Sequence, residues 1–510
     1  MSTLTRRTFL AQTLAASATL AITAQDPTGT LPSATLRLPA GPAGPKVPHD
    51  FIGLSYEVMQ LEDPTFFSPA NVGLVQQFRN LSPHGVLRLG GNTSEFSWWK
   101  ATPDQQPPHR VGNVNDPGEP PPTTIYAVTP EAIRNLRGFL DATSWTCIYG
   151  LNLGYGTVET DVAEATFVYE TLGSRLQYFQ VGNEVDLFSR HLRDKNTWNV
   201  DTYLQNWLQI ARAVQKACPN ASFGLPDVAS DVTWLTQIAE RWPSLPDKPH
   251  VTTLSHHYYA GGPPANPKLT AESLLVASPK VRQDAELTKA AADRMGLRYR
   301  MTEGNTCYQG GKPGVSDVFA AALWGAEYAF HLMQAGYSGL NLHGGSGHAQ
   351  AVSVGGSLRG EALMPDPNAP HPKPFYTPIA NEGTLAGSGV DGKLNGTYVL
   401  EPVGAGLKFA AAFAGCQMVP VTLESNLNVS AYAARRADGK VLVAILNKKP
   451  SQVLSLTAPN FQTLATLTGA SLEAHAAQVS AVVRETSSRR SSAGQTFLLP
   501  PHFATLIVLE

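Results

Sequence analysis

The sequence predicts a (β/α)8 TIM barrel with an appended C-terminal β-sandwich, an α/β fold indicated by three observations. Eight apolar runs of strand length recur between residues 50 and 345, with helical stretches between them; such alternation implies parallel strands covered by helices. From about residue 416 the pattern changes to short strand-like runs joined by turn signals such as Asp438-Gly439, the signature of a β-sandwich. Two long insertions follow predicted strands, which in a barrel places them on the C-terminal rim where sites are built.

In chain order, the predicted barrel strands are 50–57, 85–92, 146–154, 176–184, 221–228, 251–259, 297–303 and 336–345. Helices are expected at 129–143 behind Thr129, at 201–217 behind Asp201, at 316–334 behind Ser316, and at 402–414 before Gly415, each with apolar residues spaced by three and four. The barrel then spans 50–415 and exceeds the usual ~250 residues through its insertions. Residues 101–124 hold seven prolines, and 344–400 are rich in Gly, Pro and Asn; both are candidate walls of a cleft or else surface decoration. Sandwich strands are predicted at 429–434, 440–446, 452–457 and 496–509 within a domain of 416–510. The lone strand 34–38, in the segment 25–49, is expected to pair with that domain.

The first 24 residues read as an export signal of the twin-arginine type. Thr5-Arg6-Arg7-Thr8-Phe9-Leu10 precedes an apolar run ending near Ala24. The alternative is the amphipathic start of a cytoplasmic chain. Export by this route implies a periplasmic or extracellular protein that folds before crossing the membrane. The four cysteines, Cys147, Cys218, Cys307 and Cys416, fit that expectation: without CxxC or regular spacing they indicate neither a zinc knuckle nor a disulfide framework. No second apolar segment of about 20 residues follows, so no membrane association is expected after processing. With 38 Lys+Arg against 40 Asp+Glu, nothing global attracts nucleic acid or a polyanion. Oligomeric state is not legible.

Chemistry in a parallel barrel belongs to polar residues at the C-terminal strand ends. Here these are Glu57, Asn92, Asn152, Glu184, Asp227, His257 with Tyr259, Glu303 and His343. Glu184 and Glu303 end strands four and seven. Two facing carboxyl groups can supply what glycosidic cleavage needs, a proton for the leaving oxygen and a nucleophile or base beneath the anomeric carbon. Asn183 carries an amide able to donate to a sugar hydroxyl. Such chemistry needs no metal or other cofactor. The strings His256-His257 and His343 to His348 lack the spacing of two ligands on one helical face. GxGxxG is absent at Gly90-Gly91, so no nucleotide loop is indicated.

The segments RLGGNTSEF (88–96), VGNEVDLF (181–188), SHHYY (255–259) and MTEGNTCYQGG (301–311), with PVGAGLKFA (402–410), together resemble glycoside hydrolase family 79, the β-glucuronidases and heparanases. The resemblance runs over most of the barrel and into the strands beyond it. It implies a retaining mechanism in which Glu184 is the acid/base and Glu303 the nucleophile. It further implies that the uronic carboxylate is held by Tyr308, by backbone N–H groups at Gly310 and Gly311, and by Tyr259, with Glu57 and Asn92 on sugar hydroxyls. Glycine lets main chain approach an anion closely, and phenols add directed donors. Lys312 is adjacent to that stretch.

Other residues keep two readings. His257 orients a catalytic carboxylate or contacts sugar, or else is a buried, hydrogen-bonded structural histidine; the case for His343 is weaker. Trp98 and Trp99 form an aromatic platform for sugar or aglycone, or anchor a helix to the barrel. Cys307 lacks a Cys-His-Asn arrangement. The expected activity is removal of terminal β-linked glucuronic acid, with or without a 4-O-methyl group, from glycans or glycosides by double displacement. The expected partner is thus a carbohydrate carrying a terminal uronic acid. The alternatives are an endo-acting heparanase-like hydrolase, which needs a cleft flanked by Lys and Arg, and a catalytically silent glycan-binding barrel.

Overall fold

The fold was determined as a computed structural model. The structure describes residues 31–109, 112–116, 118, 125–345, 374–381, 397–481, 490–491 and 494–509. The expected signal segment 1–24, part of the proline-rich insertion and most of 344–400 lie outside the described residues.

Eight strands close into a parallel barrel: Ile52–Glu57, Val86–Gly90, Thr146–Leu151, Leu176–Val181, Phe223–Val228, Val251–Tyr259, Arg298–Asn305 and Leu340–His343, called strands one to eight below. Strand eight pairs with strand one, Leu340 opposite Ile52, which completes the ring. Strand one is buried at every position, as expected where side chains fill the barrel on one face and meet helices on the other. Each strand lies within the run that periodicity predicts or within a few residues of it.

The covering helices form where caps and spacing direct them. Thr129 accepts from the Ala132 N–H at the start of Pro130–Thr143, with proline in the first turn, where its missing N–H costs nothing. Val200–Ala217 starts one residue before the predicted 201, and its cap is Asn199 in a capping box with Thr202, not Asp201. Asp201 instead lies in the first turn and pairs with Arg241. The helix predicted from 316 begins later, as Phe319–Ala335, because Ser316 spends its hydroxyl on the Lys312 N–H. That helix is apolar nearly all round and buried on most sides, between barrel and sandwich. Its first N–H groups, on Phe319 and Ala320, donate to Ala474 and Leu472 of the sandwich, which thereby satisfies donors every helix start leaves open.

Two sheets follow the barrel. One has the order Thr422–Glu424, Ser33–Arg37, Leu454–Ala458, Gly494–Leu499, Arg490–Ser491; the other runs Gln417–Val419, Val429–Arg435, Val441–Asn447, Phe503–Leu509, Phe461–Thr468, Gln478–Ala481. The early strand Ser33–Arg37 runs antiparallel to Thr422–Glu424 and parallel to Leu454–Ala458. Leu36, Val443, Ile445, Leu456, Leu499 and Ile507 pack between the sheets. The single strand predicted at 496–509 is two strands, one in each sheet, because Pro500 and Pro501 interrupt the ladder. Trp98 and Trp99 lie not on a helix but on the short strand Ser97–Trp99, paired with Tyr126–Val128. Among the described residues no helix is long and apolar enough to cross a membrane.

The helix Pro402–Ala410 lies directly on Phe319–Ala335, and a side chain at Gly406 would collide with the Ala322 carbonyl. Gly406→Val is therefore expected to destabilise the protein by about 3 kcal/mol, the upper part of the overpacking range. Its denaturant midpoint should fall while the slope stays unchanged.

Candidate active site

The C-terminal ends of the strands converge on one buried polar cluster whose centre is Arg88 of strand two, 1% exposed. Its Nη1 donates to Glu303 Oε2 at 2.5 Å and to Ser55 Oγ at 3.0 Å. Its Nη2 donates to Asp227 Oδ2 and Asn183 Oδ1, each at 2.6 Å. The planar guanidinium fork thus joins side chains from strands one, five and seven and from the turn after strand four.

Local backbone features aim these groups. Strand seven is bulged between Met301 and Glu303, and both Thr302 and Glu303 reach the cluster, which strict alternation along a strand would not permit. Thr302 donates to Asp227 Oδ1. Glu184 and Asp227 both have left-handed backbones, φ 52° and 61°, sparsely populated for non-glycine residues and typical of functional turns. The Glu184 N–H donates to the Asp227 carbonyl at 2.8 Å, so the two turns hold each other.

Glu184, His257 and Glu303 each present a ligating atom, all within 4.8 Å of one another. His257 Nδ1 lies 3.1 Å from Glu184 Oε1 and 4.0 Å from Glu303 Oε1, and its Nε2 is 3.3 Å from Asp227 Oδ1. Burial by itself lowers the His257 pKa, but the charges of Asp227 and Glu303 and hydrogen bonds to Asp227 and Glu184 pull it up to about 10. The spacing of the three groups would admit a cation, which would have to displace the His257 proton and share Glu303 with Arg88.

The two glutamates titrate in opposite directions. Burial raises Glu184 above its ordinary value, the charge of Glu303 raises it further, and His257 only partly offsets both. Burial also acts to raise Glu303, but His343, His257 and Arg88 hold it down to about 2, helped by the hydrogen bond from Tyr259. One carboxyl is inclined to keep its proton while its neighbour is ionised.

The remaining residues surround this pair. The Tyr259 hydroxyl donates to Glu303 Oε1 at 2.8 Å, so this phenol is engaged with the carboxylate. Tyr308 is 40% exposed at the mouth, its ring edge-on to Tyr259 with centroids 6.1 Å apart. Gly310 and Gly311 both have positive φ, 80° and 88°. The Gly311 N–H turns back to the Tyr308 carbonyl and the Gly310 carbonyl accepts from Tyr376. The Lys312 ammonium is tied to the Asn266 and Leu269 carbonyls at 2.7 and 2.8 Å, within the loop after strand six. Glu57 accepts from the Thr93 N–H and hydroxyl and lies 3.5 Å from His343 Nε2. Gly91, at φ 75°, is required beside it, since any β-carbon there would strike the Glu57 carboxylate. The Asn183 amide donates to Asn92 Oδ1 at 3.3 Å. Cys307 is buried, its thiol pushed up to about 11 by that burial.

Three residues carry more of the site than the strand ends alone assign to them. Arg88 stands in the RLGGN motif, but its signal, a charged residue inside an apolar strand run, went unused. Asp227 was among the strand ends without a role. Glu95, 2% exposed, accepts from the Asn183 N–H at 2.7 Å and the Gly154 N–H at 2.5 Å, bracing the turn that carries Glu184 against the loop after strand three.

The fold is that of glycoside hydrolase TIM barrels. A 4-O-α-L-rhamnosyl-β-D-glucuronidase from Fusarium oxysporum 12S superposes with a TM-score of 0.65 at 18% identity, over 93% of this chain and 100% of the other. A family 51 arabinofuranosidase from Xanthomonas axonopodis pv. citri gives 0.63 at 14%, over 94% and 100%. In sequence the chain is similar to a β-glucuronidase of Neurospora crassa, 25% identical over 299 residues, or 52% of this chain and 51% of that protein. It is also similar to a β-glucuronidase of Aspergillus niger, 24% identical over 332 residues and 59% of each. The chain thus matches between half and three-fifths of the length of these curated relatives. No family model matches it.

Removing the guanidinium would leave Glu303 and Asp227 buried without their cation. Arg88→Leu is expected to cost about 3–5 kcal/mol, read by urea unfolding at neutral pH. Both carboxyls have depressed folded pKa values, so their stabilisation is present above about pH 4 and lost as pH falls toward 2 and below. The wild type should lose stability across that window, and Arg88→Leu should lose less.

Proposed function

We propose that this protein is a retaining exo-β-glucuronidase of the family 79 type, releasing terminal β-linked glucuronic acid. The observation that carries the reading is the Glu184–Glu303 pair, with ligating oxygens within 4.8 Å and pKa values driven apart. That spacing supports retention, for which the carboxyl groups lie about 5–5.5 Å apart, against about 6.5–9.5 Å for inversion. The likeness to two β-glucuronidases supports the substrate class.

In this mechanism protonated Glu184 gives its proton to the glycosidic oxygen as ionised Glu303 attacks the anomeric carbon, and the bond to the leaving group breaks. Glu184, now a carboxylate, takes a proton from water; the water oxygen bonds to the anomeric carbon and Glu303 departs with its electron pair. Arg88 and Tyr259, both hydrogen-bonded to Glu303, orient the nucleophile and stabilise it as a leaving group. His257 supports the charge that Glu184 acquires. The substrate carboxylate would be held by Tyr308 and Gly310 at the mouth, with Tyr259 and Gly311 beside them, while Glu57, Asn92 and Asn183 meet sugar hydroxyls. Exo action is favoured by the sparse basic residues, which offer little to a long polyanion. Export by the twin-arginine route completes the proposal, supported by the Arg6-Arg7 motif and by four buried cysteines with no disulfide among them.

A chromogenic aryl β-glucuronide should be hydrolysed, and the matching aryl β-glucoside, differing only at C6, far more slowly. Equal rates would overturn the carboxylate-binding roles given to Tyr308 and Gly310. Glu303→Gln should abolish turnover, whereas a silent binding protein would show none even as wild type. Because Glu184 must carry a proton, kcat/KM should fall as pH rises through its raised pKa. Glu184→Gln should remove that limb and slow substrates with poor leaving groups by about 10²–10⁴-fold.

A further inference from the structure

We infer that a pocket between the loops after strands two and three binds a neutral sugar unit of the leaving group. The inference rests on the glycosidase reading for its relation to the reaction, though not for the existence of the site. The pocket lies between the segment 95–99, the start of the proline-rich insertion and the first turn of the helix Val158–Leu172. Its void is ≈ 790 Å³, much of it open to solvent. A smaller cavity beside it is lined by Asn92, Asn183 and Glu184, and the two share Glu95 and Phe96 as walls. The pocket therefore lies on the side of Glu184, the group assigned to protonate the departing oxygen.

The lining selects the ligand class. Half-buried Phe96 and Trp98, with Tyr155, supply flat faces for the apolar side of a sugar ring. Trp99, by contrast, is buried against Phe167. Gln105 and Gln106 add amides that each have one end bonded within their own loop, through the Gln105 oxygen and the Gln106 nitrogen, which leaves the other end toward the pocket. Asp161 is 1% exposed, and its Oδ2 has no hydrogen-bond partner among the described residues; a buried polar atom left this way implies a missing partner. Glu164, whose Oε1 takes the Tyr149 hydroxyl at 2.6 Å, lines the same wall. Among the described lining residues there is no lysine or arginine. Burial pushes Glu95, Asp161 and Glu164 on its walls toward the neutral form, so they offer hydrogen bonds, and a sulfate or uronate here would be desolvated without a counter-charge from the described lining residues. Aromatic faces, hydrogen-bonding groups and the lack of lysine and arginine among the described lining residues match an uncharged sugar.

Calorimetric titration of the full chain with xylobiose and cellobiose should show saturable millimolar binding, weakened about tenfold by Trp98→Ala or by Gln106→Ala in the exposed loop. A sulfated disaccharide should not bind. In turnover, the ratio of kcat/KM for a glucuronosyl-disaccharide over methyl β-glucuronide should fall about tenfold in the same variants. Absent disaccharide binding, equal binding of the sulfated probe, or an unchanged ratio in both variants would overturn the pocket while glucuronide hydrolysis stands. Disaccharide binding by a wild type that hydrolyses no glycoside would support the pocket and overturn the hydrolase reading.

Discussion

A single desolvated guanidinium organises the mouth of this barrel. Arg88 is enclosed on every side and bonded to Ser55, Asn183, Asp227 and Glu303, so strands one, two, five and seven and the turn after strand four meet at one planar cation. A charge in that position is tolerable only because two carboxylates face it at hydrogen-bonding distance. The converse also holds: Asp227, at zero exposure, is kept ionised by Arg88 together with His257. Side chains in the barrel centre are therefore not interchangeable with apolar ones. The hydrogen bonds and ion pairs among them tie the strand ends together.

From that cluster follows the unequal treatment of two chemically identical side chains. Glu303 sits among Arg88, His257, His343 and the Tyr259 hydroxyl, and every one of them favours its anion. Glu184 stands on a left-handed turn beside one histidine, largely desolvated and near a negative neighbour. Environment, not residue type, divides proton from charge. Glu95 contributes from outside the pair by clamping the Asn183 and Gly154 N–H groups, and burial pushes its pKa up to about 7. The loops after strands two, three and four thus form one braced unit around Glu184.

Several parts of the site were legible because they are local. The alternation of apolar runs with helical stretches places Glu184 and Glu303 at strand ends, and strand ends of a parallel barrel share one rim whatever their distance along the chain. Asn183, His257 and Tyr259 follow by adjacency to those positions. Other features depend on partners that no spacing reveals. Tyr259 is expected from the resemblance to hold an anionic substrate group, yet its hydroxyl is bonded to Glu303. Lys312 adjoins the glycine stretch, yet its ammonium turns to two carbonyls in another loop. Asp201 occupies a helix start, but Asn199 is the residue whose side chain meets the open N–H groups.

The class of fold and the rim on which polar residues collect can be read along the chain, since periodicity and turn chemistry act over a few residues and survive without tertiary partners. Which of those residues are charged, which are paired and which face a cavity emerges once the barrel closes. Charge state depends on desolvation and on groups from strands far apart in the chain. Arg88 shows the difference most plainly: in the sequence it is an interruption in an apolar run, and it becomes the centre of the site only once the closed ring of strands brings two carboxylates to its fork and shuts out water.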